Sequence, residues 1–172
     1  IRNAAEDLHE EATTARKLYY RMAASDSQPP KADFDARYLY LRATTNTREV
    51  ARAVQNLARL AREHVANRHR ISTGSISRDI ATLVLDIKRL AKVSDGTANL
   101  TALREEADGI INRIESLQHR LMALQPQEKM TVRSCEFYLS YLLVLRELVN
   151  HYEIASMLED RIDQLARHPE IA

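Results

Sequence analysis

Leu103, Ala107, Ile110, Ile114, Leu117, Leu121 and Leu124 recur at alternating spacings of four and three residues. That rhythm places them all on one side of a helix with 3.6 residues per turn. A helix with such a stripe must bury it against other helices, and the rest of the chain supplies them. Leu8, Ala12, Ala15, Tyr19 and Met22 keep the same spacing, as do Ile76, Ile80, Leu83, Ile87 and Leu90. Phe34, Tyr38 and Leu41, followed by Val50, Val54, Leu57, Ala61 and His64, form a further stripe.

Breaks between the stripes set the helix count. Gln28-Pro29-Pro30 disfavours helix on both sides, because proline lacks an N–H and pushes its predecessor towards extended backbone. Gly74 with Ser75 offers a stop and a fresh N-cap, and Asn99 or Thr101 can cap the helix after "SDGTAN". The segment "ATTNTRE" is rich in weak helix formers, and Asn46 with Glu49 has the spacing of a capping box. The chain there is either one long helix with a weak point at Thr44 to Thr47 or two consecutive helices. The last helix is expected from about Thr131 to His168, before Pro169. The fold class expected is all-α: an elongated antiparallel bundle of five or six helices, forming a single domain over residues 1–172. With no initiator Met and no signal-like segment, the chain reads as a fragment of a longer protein or a processed product.

Glycine (3) and proline (4) are scarce, as long helices with few turns require. The 25 basic and 24 acidic residues nearly cancel, which argues against nucleic acid as a partner. The single cysteine, Cys135, excludes an internal disulfide framework and neither demands nor excludes an oxidising compartment, so localisation stays open with the cytoplasm slightly favoured. The stretch "FYLSYLLVLREL" is the most apolar in the chain, but Arg146 and Glu147 end it short of the ~20 residues a membrane span needs. Being apolar on nearly all sides, Phe137 to Leu145 is expected to be a central helix buried on several faces.

Signals for chemistry are sparse. Glu6 and His9 form one Glu-x-x-His pair, half of the set that di-iron bundles use, but the other half is missing and a solvated helix face is the far plainer account. The Glu159-x-x-x-Asp163 arrangement is similar to the acidic motif of PhoU-like phosphate-regulatory bundles, which implies a metal cluster if other helices add carboxylates. Those proteins repeat the motif and this chain does not. Solvated charge opposite Leu158, Ile162 and Leu165 is the plainer reading, so no metal or other cofactor is expected. The helix "LREEADGIINRIESLQHRL" resembles the first helix of helical chorismate mutases in its leucine and isoleucine rhythm, without the basic residues such a site needs. Gly74, Gly96 and Gly109 are the only glycines, too few for a phosphate cradle. The basic cluster Arg62, His64, Arg68, His69 and Arg70 suits a helix C-terminus.

The tyrosines fall in three groups: Tyr19 and Tyr20; Tyr38 and Tyr40; Tyr138, Tyr141 and Tyr152. Core packing with the hydroxyl at the edge is the plainer reading, but meeting in one layer they would line a small-molecule pocket where the apolar helix turns polar, with Tyr138, Tyr141, Arg146, His151 and Tyr152 as its residues. No residue is assigned a catalytic role. The expected function is a non-enzymatic regulatory or interaction domain, the soluble part of a larger protein such as a membrane transporter or receptor. Its partners would be another protein or a second copy, met through helix faces. A ligand-sensing bundle with that tyrosine pocket, or an all-α metal protein or enzyme, are the alternatives.

Overall fold

The computed structural model describes residues 31–66, 74–93, 100–124 and 130–167. They form four helices: α1 (Lys31–Ala66), α2 (Gly74–Val93), α3 (Leu100–Leu124) and α4 (Val132–Arg167). No strand occurs among the described residues, so the chain is all-helical there. The Leu8 to Met22 stripe, with Tyr19 and Tyr20 and the Glu6/His9 pair, lies outside the described residues.

The expected weak point in α1 is a continuous helix. Thr44 and Thr45 both donate their hydroxyls to the Leu41 carbonyl, Asn46 donates Nδ2 to Arg42, and Thr47 donates to Ala43. Each side chain bonds back onto the preceding turn, so the groups that make these residues poor helix formers are satisfied without a break. Asn46 therefore does not act as a capping-box N-cap.

At α4 the start is built as the sequence suggests. Thr131 Oγ1 accepts the Ser134 N–H at 3.2 Å, and the Cys135 N–H bonds the Thr131 carbonyl at 3.0 Å. Thr131 is thus an N-cap, taking up one of the donors that a helix start leaves unpaired. Thr101, by contrast, lies inside α3, which begins at Leu100.

The chain divides into two compact units, Gln55–Asn150 and a second made of Ile1–Val54 with His151–Ala172. Within Gln55–Asn150, α2 runs antiparallel to α3, as the pairs Asp79–Arg120 and Asp86–Arg113 require. Helix α3 is likewise antiparallel to α4, with Cys135 Sγ near the Leu121 carbonyl and Arg146 paired to Glu115. The α3 stripe is buried from Leu103 to Leu121, with Leu124 at the margin. Ile76, Leu83 and Leu90 of α2 are buried as well, as are Tyr138, Leu142, Leu145 and Val149 of α4.

Two expected faces are turned. In α1 the buried side includes Ala53 and Leu60, while Ala61 is exposed. In α4 a single stripe, Cys135, Tyr138, Leu142, Leu145 and Val149, is buried, whereas Leu143 is 50% exposed. Phe137 to Leu145 is therefore not buried on several faces.

In the other unit, the described buried residues are mostly small: Ala43, Ala51, Ala53, Ala155 and Ser156, with Leu158. Small side chains let helices approach closely but bury little apolar area, and stabilisation follows area.

Candidate functional site

The C-terminal end of α1 and the start of α4 bring an aromatic cluster together within Gln55–Asn150. The His64 ring stacks on Phe137 with centroids 4.6 Å apart and an interplanar angle of 17°. Phe137 meets Tyr138 edge-on at 5.4 Å and Tyr141 at 6.2 Å. His64 ends the α1 stripe, and that position, rather than its place in the basic cluster, is the sequence signal for its packing role.

Tyr138 is 4% exposed, and its hydroxyl finds no hydrogen-bond partner among the described residues. Burial pushes the phenols of Tyr138 and Tyr141 above their usual range, so both remain neutral at physiological pH. A neutral buried phenol can donate or accept a hydrogen bond but does not act as a base. The Cys135 thiol is also raised, by burial and then by the Glu136 carboxylate. It stays a thiol and is a poor nucleophile.

The five residues expected to line a pocket are divided. Tyr138, Tyr141 and Arg146 belong to Gln55–Asn150, while His151 and Tyr152 belong to the other unit. Arg146 is half exposed and paired with Glu115 at 3.1 Å. His151 Nδ1 lies 2.9 Å from Asn46 Oδ1, the α1 residue whose amide also bonds backwards along its own helix. Tyr152 is partly buried. Tyr38 and Tyr40 stand about half exposed, with the Arg42 guanidinium 5.8 Å from the Tyr38 ring centre. Those two do not join a buried tyrosine layer.

A second feature was not legible in the hydrophobic pattern. Asp86 sits on the buried side of α2 with its side chain 3% exposed, 2.7 Å from Arg113 of α3 and 3.3 Å from Arg89. One heptad earlier in α2, Asp79 pairs with Arg120, one heptad later in α3, at 2.8 Å. The two pairs line a cleft of about 170 Å³ together with Thr82 and Ser116. The two pairs, a heptad apart on each helix, match the antiparallel alignment of α2 and α3.

Among the described residues, no group of three or more His, Cys, Asp or Glu side chains is placed to hold a metal ion. Glu159 and Asp163 lie one turn apart on α4, and the Glu159 carboxyl is raised by partial desolvation and then by Asp163. Among the described residues, no helix is long and apolar enough to cross a membrane. No protein-family model, curated protein or solved structure matches the chain.

Proposed function

We propose that the chain is a non-enzymatic helical interaction domain that assembles through an exposed face of α4. One observation carries this reading: Leu143, inside the most apolar run of the chain, stands 50% exposed. Val132 lies three turns earlier on the same side and is also exposed, with Leu139 half-buried and Glu136 and Ser140 exposed between them. Exposing apolar side chains in a stripe costs solvation free energy that association recovers. A second copy is the simplest occupant, since it brings an identical apolar stripe. The domain in this reading is an antiparallel bundle of five helices, counting the one expected from Leu8 to Met22. It serves as a regulatory or assembly part of a larger protein.

Light scattering after size exclusion tests it, with Leu143→Glu as the comparison. The native chain should elute as a dimer and the variant as a monomer of unchanged helicity. A native chain that stays monomeric at high concentration would overturn the reading.

The buried Tyr138 hydroxyl supports a second reading, a ligand-sensing bundle. A polar atom buried without a partner costs stability unless something occupies it, and a small ligand with a hydrogen-bonding group would remove that cost. Thermal-shift measurements with aromatic acids, dicarboxylates and phosphate test this second reading. A ligand bound to the folded state must raise the transition temperature, and a Tyr138→Phe chain should lose the shift. No shift with any of them would exclude it.

A further inference from the structure

Charge on α2 is sorted by face. Its only two carboxylates, Asp79 and Asp86, are one heptad apart and both turn towards α3, where arginines hold them. Arg78, Leu85 and Lys92 are also one heptad apart, about a quarter turn round the helix from those aspartates, and all three are exposed. Lys88 and Arg89 flank this outer stripe and are exposed as well, Arg89 also reaching the Asp86 carboxylate at 3.3 Å. Leu85 is 54% exposed, in the centre of the cations. The outer face of α2 therefore offers positive charge on either side of one apolar side chain, while the Asp86 carboxylate beside it is buried.

We infer that this face docks an acidic amphipathic helix of a partner protein, with carboxylates a heptad apart meeting Arg78 and Lys92 and an apolar residue covering Leu85. The inference rests on the reading of the chain as an interaction domain but uses a different helix. Arg78 to Lys92 spans roughly 21 Å, about four helical turns, enough for a partner helix to lie along it. Electrostatic complementarity of this kind sets orientation and speeds encounter, while the apolar centre supplies contact area. Nucleic acid fits less well, since Leu85 occupies the middle of the face and the chain's net charge is only +1. A membrane surface fits less well too, because a helix lying in the headgroup region needs a broad apolar face, and that of α2 is spent on the core.

The test is titration of the full chain with a synthetic amphipathic peptide carrying glutamates a heptad apart on either side of a leucine. Parallel titrations use the same peptide with glutamine for glutamate, an RNA hairpin, and vesicles containing phosphatidylserine. The acidic peptide should bind, weaken with added salt, and weaken about tenfold or more on Arg78→Glu with Lys92→Glu. Leu85→Ala, which leaves every charge in place, should also weaken it. Equal binding of the glutamine peptide, no binding of the acidic one, or tighter binding of RNA or vesicles would each overturn the inference. Light scattering on the same samples separates the two proposals: a dimer that ignores the acidic peptide sinks the α2 site and leaves the α4 interface standing.

Discussion

The carboxylate of Asp86 lies 2.7 Å from the guanidinium of Arg113, the former almost wholly buried and the latter about half exposed. This asymmetry fixes which partner matters more. Arg113→Ala strands a buried carboxylate with only the longer Arg89 contact, at a cost of about 2 kcal/mol. Asp86→Ala buries no charge and leaves Arg113 free to turn into solvent, so it should cost less. Urea unfolding of both variants checks the order, and a costlier Asp86→Ala would contradict it.

At the start of α4, Thr131→Ala removes the hydroxyl that accepts the Ser134 N–H. The loss of an N-cap is expected to cost about 1 kcal/mol. For a chain of this size that corresponds to a fall in Tm of roughly 2–4 °C. Thr131→Ser should restore most of it, and calorimetry on the three chains decides.

The raised Glu159 carboxyl gives a pH dependence of known sign. The folded state binds its proton more tightly than the unfolded chain, whose value is near 4.5. This group therefore favours folding below that pH, and the contribution is lost as pH rises through the raised folded-state value. Glu159→Gln should be slightly more stable than the native chain at pH 7, with the difference vanishing by pH 4. Thermal melts across that range check it, and an advantage that grows on acidification would refute the assignment.

Burial differs between the two units, and local stability should follow. Leu142, Leu145 and Val149 are large and fully buried, whereas Ala155 and Ser156 further along the same helix bury little area. Amide hydrogen exchange should be slower at Leu142 to Val149 than at Ala155 to Leu158. Uniform protection along α4 would contradict this account of the core.

The α3 stripe was legible because every buried position from Leu103 to Leu121 is apolar and evenly spaced. Asp86 was not, since its burial depends on an arginine that is distant in the chain, and no local pattern records such a partner. Thr44 to Thr47 read as a weak point or a break because propensities describe competition for backbone groups, and here the side chains bond back onto a helix that continues. Leu143 was read as core because an apolar run tells how much could be buried, while the neighbours decide which side is. For the tyrosines, sequence grouping located Tyr138 and Tyr141 in one cluster but could not foresee that Tyr38 and Tyr40 would face outward.

Sedimentation velocity over a wide concentration range, on the native chain and Leu143→Glu, tests the assembly claim most directly. The account expects a native sedimentation coefficient that rises with concentration to a dimer plateau, and a variant that remains monomeric with unchanged helicity. Two superimposable monomer profiles, or a variant that dimerises as the native chain does, would contradict it.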